Sequence, residues 1–332
     1  MAVPRLGVVT VARNEGERFR ICLESLSGYL DRVVYVDSGS TDGSVEHARS
    51  RGVSVVELDP SRPFRVSRAR NEGFERLMEE HPDTELVLFL DGDCEVHDGW
   101  IEHAVGLLEA MPEVGAIGGR RRERFPKASI YNRLSNIEWN NFVPGETEAT
   151  GGDMLVRVPA VLKVGGFDAE LMAGEDPEFC FRIRQAGWKI YRTDEQITTH
   201  DAAMMHFSQW WRRTFRAGHG FAECGWKHRE ARSNPEHRRT RSSWAYGLVL
   251  PTAIVITAPF TFGLSVLGLG AYPFLAVRMY RTMRQKGFSP GDSRVFAFFL
   301  TIAKFPHMLG QCKFHKDRIL GKKSFIIEYK ED

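Results

Sequence analysis

Residues 32–57 read RVVYVDSGSTDGSVEHARSRGVSVVE, and this stretch decides the fold. It opens on RVVYVD and closes on VSVVE, two runs of β-branched and aromatic residues of the kind that form buried strands. Between them, STDGSVEHARSRG begins with residues that cap helices and ends on a glycine, so it is predicted to be a helix. Two strands joined through one helix indicate a crossover with parallel strands.

The same alternation extends to both sides of this unit. Residues 5–12 and 85–91, RLGVVTVA and ELVLFLD, are predicted strands, and residues 13–30 and 68–81 carry helical spacing. The chain is therefore predicted to be an α/β protein with a Rossmann-like, mostly parallel sheet and helices on both faces. Because ligands of such sheets bind beyond the carboxyl ends of the strands, polar residues at those ends are the first candidates for a site.

Composition narrows the class of protein. The chain has 332 residues, of which 42% are hydrophobic and 27% charged, as in folded proteins. Its net charge of +2 gives no reason to expect a nucleic-acid partner. The five cysteines form no CxxC pair or zinc-like spacing, which favours a reduced, cytoplasmic compartment. Residues 1–12 lack a charged start followed by a long apolar core, so no secretory signal is expected.

A long uncharged stretch runs from Trp244 to Val277 and exceeds the roughly 20 residues that one bilayer crossing needs. Three prolines interrupt it and basic residues flank both ends, so we expect a broken hairpin that enters the membrane and returns to the cytoplasmic side. One tilted span and a buried pair of helices are the alternatives. The apolar residues 295–312 carry Lys304 and His307 and are expected to lie on the bilayer surface.

Carboxylates mark the candidate sites. Asp91 and Asp93 lie at the end of ELVLFLD, where a divalent cation would offset the cost of leaving two anions beside a buried strand. Glu175 and Asp176 precede a predicted helix, and one of them could serve as a general base. A solvent-exposed turn and compensation of the helix dipole would explain the same residues without chemistry. Asp37, at the end of RVVYVD, leads into a turn that either approaches a ligand or caps the next helix.

Six motifs occur in an order that resembles the family 2 glycosyltransferases of the GT-A fold. They are TVARNEGERFRICLESL, VVYVDSGSTDGS, ARNEGF, FLDGDCE, GGDMLVRVPAVLKVGGFD and GEDPEFCFRIRQAGWKI. The form VDSGSTDGS is also similar to enzymes that build lipopolysaccharide cores and exopolysaccharides. The resemblance implies an inverting transfer of a sugar from a nucleotide-sugar donor to a hydroxyl group of an acceptor.

The resemblance also implies which residues bind the donor. Ala12, Arg13 and Asp37 are expected near the nucleoside, Arg70 near the nucleotide and Asp91 at the ribose. Arg13 stands where relatives carry an aromatic residue, and its planar guanidinium can also stack on a base. Many relatives have two consecutive aspartates after the second strand, whereas a serine takes the second position here. The base is therefore left open among UDP-, GDP- and dTDP-sugars.

For the metal and the acceptor, the resemblance implies a second group of residues. Asp93 is expected to bind Mn²⁺ or Mg²⁺ at the diphosphate, and His206 is either a further ligand or a structural histidine. Asp176 is expected to deprotonate the acceptor hydroxyl, with Glu175 assisting it or contacting the acceptor. Asp153 is expected to contact the acceptor.

These features predict a domain order and a location. We expect a catalytic domain over 1–225, a basic linker over 226–243 and a membrane-associated helical region over 244–332, anchored at the cytoplasmic face of the inner membrane. The acceptor is expected to be a lipid-linked or oligosaccharide glycan. The Gln-x-x-Arg-Trp motif of processive synthases is absent, which favours addition of one sugar. A metal-dependent sugar nucleotidyltransferase and a non-catalytic nucleotide-sugar-binding protein are the alternatives.

Overall fold

The computed structural model describes residues 5–231 and 236–322, whose contacts form two compact units. The sheet unit comprises residues 5–124, 142–171 and 175–202, and the helical unit comprises residues 125–141, 172–174, 203–231 and 236–322. The predicted domain boundaries at 225 and 243 differ from this division and stay predictions. Parts of the three predicted domains, namely residues 1–4, 232–235 and 323–332, lie outside the described residues.

Strands and helices are numbered along the chain. Within the described residues the strands are β1 (Leu6–Ala12), β2 (Val33–Asp37), β3 (Ser54–Glu57), β4 (Leu86–Asp91), β5 (Cys94–Val96), β6 (Val114–Glu123), β7 (Gly145–Thr147), β8 (Met154–Arg157) and β9 (Lys189–His200). The helices are α1 (Glu17–Ser25), α2 (Ser44–Ser50), α3 (Val66–Glu80), α4 (Trp100–Ala110), α5 (Ile130–Trp139), α6 (Val158–Val164), α7 (Glu175–Gln185), α8 (Phe207–Lys227), α9 (Glu236–Trp244), α10 (Leu250–Thr257), α11 (Ala271–Gln285), α12 (Pro290–Ile302) and α13 (Lys304–Ile319).

One sheet contains all the strands of the sheet unit. Strands β3, β2, β1 and β4 lie side by side in that order and are parallel, as the sequence predicts. The sheet continues through β8, β6, β9 and β5, and β8 is antiparallel to both of its neighbours, β4 and β6. The predicted α/β sheet is therefore present, and its second half is mixed. Apart from β5, the strands of that half follow Trp100, where strand–helix alternation fades from the sequence.

Apolar cores cover both faces of the sheet, which explains why the strands are apolar throughout. Neighbouring residues of β1 point to opposite faces, so Val8 packs in one core with residues of α1 and α4, and Val9 packs in the other with residues of α3 and α7. Helix α3 approaches the sheet closely at Gly73, where a Cβ atom would lie 2.5 Å from a methyl group of Val9. A side chain at this position would force the helix away from β1.

The helical unit is organised around the pair α8 and α13. Two glycines let the helices touch, because a Cβ on Gly218 would lie 2.2 Å from the carbonyl oxygen of His307, and one on Gly310 would overlap the carbonyl oxygen of Phe215. Near the start of α8, Trp210 is 1% exposed and packs with Phe299 of α12 in a small aromatic cluster. These contacts show an ordered helical core over residues that the sequence marks only as apolar.

A helical hairpin occupies the predicted membrane stretch. Residues 236–257 run through α9, a π-helical turn at Ala245–Val249 and α10, and the chain reverses before α11. The two arms are tied by hydrogen bonds from Tyr272 Oη to the carbonyl of Tyr246 at 2.7 Å and from Ser265 Oγ to the carbonyl of Ile254 at 2.9 Å. The tip and outer faces expose large apolar side chains, including Val255 (72%), Phe260 (80%), Phe262 (97%), Leu267 (78%) and Phe274 (68%).

Among the described residues, Pro290–Ile319 is the one helical stretch long and apolar enough to cross a membrane by length and composition. Core helices of soluble proteins share these properties, and 39% of its most apolar window is buried. The close contact of α13 with α8 accounts for part of this burial. The expectation that residues 295–312 lie on a bilayer surface stays a prediction.

Candidate active site

The carboxyl ends of three parallel strands bring predicted site residues into one row. Ala12 pairs with Asp37 in the register of β1 and β2, and Val11 pairs with Asp91 in that of β1 and β4. After Asp91 the chain passes so close to β1 that a Cβ atom on Gly92 would lie 2.6 Å from the Cβ of Ala12. The glycine between the two aspartates is therefore required by close packing at the mouth of the sheet.

Asp37 is 2% exposed, and its carboxylate holds the turn that follows β2. Oδ2 accepts hydrogen bonds from the backbone N–H groups of Gly39 at 2.8 Å and Ser40 at 2.9 Å. Oδ1 accepts a hydrogen bond from the hydroxyl of Tyr35 at 2.6 Å. The carboxylate thus fixes the shape of the turn, and the predicted contact of Asp37 with a nucleoside stays a prediction.

The loops after β1 and β2 are joined by residues that the sequence analysis missed. Asn14 adopts a left-handed φ of 53°, donates its backbone N–H to Ser40 Oγ at 3.0 Å and accepts from the backbone of Thr41 at 2.8 Å. Asp42 accepts from the backbone N–H of Gly16 at 2.7 Å. Asparagine tolerates this conformation better than most residues, which is the one signal in the motif ARNEGE that could have indicated the loop.

Arg13 has an aromatic partner in this region. Its guanidinium carbon lies 5.7 Å from the centre of the Phe64 ring, and the same ring lies beside Gly39, where a Cβ atom would be 3.4 Å from it. The guanidinium and the phenyl ring come from different loops. Phe64 follows β3 in the stretch SRPF and was not predicted.

Arg70 connects two of the predicted carboxylates. Its Nη1 lies 2.5 Å from Asp176 Oδ1, and its Nη2 lies 2.8 Å from Asp91 Oδ1. The side chain is 1% exposed, and its guanidinium lies over the ring of Phe167, 5.2 Å from the centre. Helix α3 thus brings together the end of β4 and the start of α7, which are far apart in the sequence.

The two carboxylates bound by Arg70 differ in pKa. Burial alone would raise the pKa of Asp91, but Arg70 and Arg121 outweigh it, so this pKa is lowered and Asp91 stays ionised. Burial dominates at Asp176 and raises its pKa to about 7, with Glu175 and Asp91 acting in the same direction and Arg70 opposing them. Asp176 is therefore the group poised to exchange a proton near neutral pH.

Arg70 forms a bridge between Asp91 and Asp176, and the backbone at Gly152 lies against all three residues. A Cβ atom on Gly152 would lie 2.5 Å from Arg70 Nη2, 3.2 Å from Asp91 Oδ2 and 3.3 Å from Asp176 Oδ2. The two carboxylate oxygens that do not bind Arg70 therefore lie close to the same backbone segment. This brings the predicted donor-binding and base carboxylates together.

Asp153 is placed in a buried ion pair. The side chain is 2% exposed, lies 2.8 Å from Arg121 Nη2 and accepts a hydrogen bond from Thr198 Oγ1 at 2.5 Å. The same nitrogen of Arg121 lies 3.5 Å from Asp91 Oδ2, so Asp153 helps to hold a second arginine beside that carboxylate. The predicted contact of Asp153 with the acceptor stays a prediction, and the observed role is to position Arg121.

A carboxylate and an imidazole meet at the end of β9. His200 Nε2 lies 3.2 Å from Asp93 Oδ2, and both side chains are buried. Cys94 Sγ lies 3.6 Å from Asp93 Oδ1, and burial raises the pKa of this thiol well above its usual value, so it remains protonated. Oxygen and imidazole nitrogen are suitable ligands for Mn²⁺, whereas Mg²⁺ prefers oxygen ligands and water. The residues present therefore fit a divalent cation.

His200 was missed by the sequence analysis, which named His206 instead. His206 is the N-cap of α8 in the helical unit, where it forms a capping box with Gln209. A capping interaction accounts for the side chain without a metal, although the prediction for His206 is not tested by it. Glu175, the first residue of α7, adds negative charge beside Asp176, and its predicted catalytic role also stays a prediction.

With this geometry established, the chain can be compared with known proteins. Residues 7–159 match the family model described as glycosyl transferase family 2. The protein is a glycosyltransferase. The suspected family is thereby confirmed, and glycosyltransferase activity is favoured over a nucleotidyltransferase or a non-catalytic binding protein.

Individual relatives agree with the family. Over 230 residues the enzyme is 26% identical to glycosyltransferase AglE of Haloferax volcanii, covering 66% of this chain and 73% of that protein. Over 244 residues it is 28% identical to the succinoglycan biosynthesis protein ExoA of Rhizobium meliloti, covering 67% of this chain and 70% of that protein. Among solved structures, a mannosyltransferase from Pyrobaculum calidifontis in complex with GDP-Man and Mn²⁺ superposes with a TM-score of 0.60 at 18% identity, covering 95% of this chain and 88% of the other. The predicted GT-A fold is thus confirmed.

Proposed function

We propose that this glycosyltransferase transfers one sugar, with inversion, from a nucleoside diphosphate sugar to a hydroxyl of a lipid-linked or oligosaccharide acceptor in bacterial polysaccharide or lipopolysaccharide biosynthesis. The observation that carries the proposal is the bridge from Asp91 through Arg70 to Asp176. It joins an ionised carboxylate at the predicted donor site to a carboxyl group whose pKa is about 7. The similarity to a succinoglycan biosynthesis protein supports the polysaccharide context.

In the proposed reaction, Asp176 is the general base. The acceptor oxygen attacks the anomeric carbon, its proton passes to the Asp176 carboxylate, and the bond between that carbon and the diphosphate oxygen breaks. Attack from the face opposite the leaving group inverts the configuration. Because a base acts best when its pKa lies near the working pH, the raised pKa of Asp176 suits this role. Arg70 orients the carboxylate through Oδ1 and leaves Oδ2 available for the proton.

The nucleoside end of the donor is proposed to bind at the two joined loops. Arg13 and Phe64 offer flat surfaces for a base, and the backbone around Gly39 and Ser40 is fixed by Asp37. Ala12 lies in the same row at the end of β1, opposite Asp37.

For the metal, we propose Asp93 and His200 as ligands in place of the predicted pair of Asp93 and His206. Bound there, Mn²⁺ or Mg²⁺ would neutralise the negative charge that develops on the departing diphosphate. These two ligands favour Mn²⁺ over Mg²⁺ because one of them is an imidazole nitrogen. The similar solved structure, a mannosyltransferase in complex with GDP-Man and Mn²⁺, is consistent with this choice of metal.

We further propose that the apolar hairpin of α10 and α11 attaches the enzyme to the cytoplasmic face of the inner membrane. Its tip exposes Phe260 and Phe262, whose rings would be stabilised in the acyl region of a bilayer. Arg278, Arg281 and Arg284 follow on α11, where they would meet anionic lipid headgroups. A lipid-linked acceptor would be delivered to the enzyme by the same surface.

The proposal is tested with the purified full-length enzyme, Mn²⁺ and a panel of UDP-glucose, GDP-mannose and dTDP-rhamnose, by measuring release of the nucleoside diphosphate. One donor is expected to be hydrolysed, and Asp176→Asn is expected to reduce the rate by about 1,000-fold, within the range of general-base effects. Asp98→Asn, at an exposed position, is the matched control and should leave the rate unchanged. Proton NMR of the first-formed sugar should show the anomer opposite to that of the donor. Undiminished hydrolysis by Asp176→Asn, or retention at the anomeric centre, would contradict the proposal.

A further inference from the structure

The loop that precedes α7, residues 172–174, contacts the C-terminal half of α8. The backbone N–H of Met172 donates to Glu223 Oε2 at 3.1 Å, and Cys224 Sγ lies 3.7 Å from the carbonyl oxygen of Gly174. Between them, Ala173 is so close to α8 that a Cβ atom on Gly220 would lie 2.6 Å from its carbonyl oxygen. Residues 172–174 are thus fixed at three successive positions by one face of one helix.

Glu223 is itself held in a buried setting. The side chain of His219, one turn earlier on α8, is fully buried, and its Nδ1 lies 3.6 Å from Glu223 Oε2. The other side of His219 meets the ring of Phe314 on α13 at 5.4 Å between ring centres, in an edge-on arrangement. Close packing at Gly310 sets the distance between the two helices. The carboxylate that receives the Met172 N–H therefore has little freedom to move.

We propose that Glu223 is a positioning residue for the general base. Gly174, the last residue of the loop, is joined by one peptide bond to Glu175, and Asp176 follows in the first turn of α7. Gly174 has a left-handed φ of 82°, a conformation that favours glycine at this end of the loop. Withdrawing the acceptor of the Met172 N–H frees the loop and, with it, the start of α7. This inference rests on the proposed role of Asp176 as base.

The role differs from that of a residue that merely stabilises the fold. A displacement of about 1 Å at a catalytic group can reduce a rate by about 100-fold, while binding of a substrate held by other residues is little affected. The donor-binding and metal-binding residues proposed above lie on segments other than residues 172–176. Loss of Glu223 should therefore lower kcat and leave the KM for the donor nearly unchanged.

The experiment uses the full-length enzyme, Mn²⁺ and hydrolysis of whichever panel sugar nucleotide the wild type accepts. Glu223→Ala is expected to lower kcat by about 30- to 100-fold with the donor KM within about twofold. Glu223→Gln, whose amide oxygen can still accept the Met172 N–H, is expected to restore kcat to within about threefold of the wild type. Gly220→Ala pushes on the same loop from α8 and is expected to lower kcat likewise. Asp317→Ala removes another buried carboxylate, paired with Lys313 on α13, and is the matched control with unchanged kcat.

Two results would overturn the inference. One is a wild-type kcat in Glu223→Ala, and the other is an equal loss of kcat in Glu223→Ala and Asp317→Ala, which would indicate general destabilisation. If Glu223→Ala does not fold, Glu223→Asp decides, because it keeps the charge but is too short to reach the Met172 N–H; an unchanged kcat would then refute the role. Failure of the proposed function is distinguishable, since it would appear as undiminished hydrolysis by Asp176→Asn whatever Glu223 does.

Discussion

Replacing Gly152 by alanine tests the central arrangement of the active site with a single methyl group. The new Cβ would lie 2.5 Å from Arg70 Nη2, whereas ordinary contact begins at 3.4 Å, so about 0.9 Å of movement is required. Arg70 cannot swing away freely, because both of its terminal nitrogens bind carboxylates and its side chain is 1% exposed. Asp91 and Asp176 stand at 3.2 Å and 3.3 Å from the same point and leave little room on either side.

Two effects on the reaction follow from this displacement. A shift of about 1 Å in the bridge should lower kcat by about 100-fold. Moving Arg70 away from Asp176 also removes the interaction that lowers the pKa of this carboxyl group, so burial, Glu175 and Asp91 raise that pKa further above about 7. Since the base must be ionised, the acidic limb of the pH–rate profile should move to higher pH.

The assay is hydrolysis of the accepted sugar nucleotide from pH 5.5 to 9, with thermal unfolding measured in parallel. Gly106→Ala is the matched control, because this helical glycine in α4 has no atom within 4 Å of an added Cβ. That change should leave kcat and the pH profile unaffected and raise stability by about 1 kcal/mol. If Gly152→Ala kept the wild-type kcat and pH midpoint, the close contact among Arg70, Asp91 and Asp176 would be refuted.

Three further predictions concern the base, the metal and the membrane. In the wild type, the hydrolysis rate should rise with pH to a midpoint near the Asp176 pKa of about 7, because the protonated form cannot act as a base; a rate that is flat from pH 5.5 to 8 would contradict this. His200→Ala should raise the Mn²⁺ concentration needed for half-maximal activity by about 10- to 100-fold, whereas His206→Ala should leave it unchanged, and the opposite ranking would restore His206 as the ligand. Phe260→Ser combined with Phe262→Ser should abolish flotation of the enzyme with anionic vesicles without changing hydrolysis, and undiminished flotation would exclude the hairpin as the anchor.

Much of the fold follows from patterns within short stretches. The strands β1 to β4 and the helices between them were predicted because each is a run of about five to fifteen residues with its own periodicity and its own terminal signals. The antiparallel entry of β8 could not be predicted in this way. It depends on which strands lie beside it, namely β4 and β6, and no local feature of Met154–Arg157 specifies them.

The candidate site likewise combines residues that local sequence patterns indicate with contacts that such patterns cannot indicate. Asp91 and Asp176 were singled out because each belongs to a pair of carboxylates beside a predicted strand end or helix start, and the family resemblance implied their roles. The bridge through Arg70 was not, since it joins residues separated by 21 and 106 positions. A local pattern also could not indicate whether His200 or His206 lies beside Asp93 as a candidate metal ligand. Strand pairing brings His200 beside Asp93, because His200 lies opposite Cys94, the neighbour of Asp93.

The loops after β1 and β2, which are joined by hydrogen bonds, affect how the preference for a nucleobase can change. Asn14 and Asp42 join those loops to each other near Arg13 and Phe64, whereas Asp176, the proposed base, is bound by Arg70 of α3. The proposed nucleoside end and the proposed reacting end of the site are thus built on separate segments of backbone. Substitutions that exchange one nucleobase for another can accumulate in the first without retuning the second, so diversification of sugar nucleotides is compatible with an unchanged chemical step.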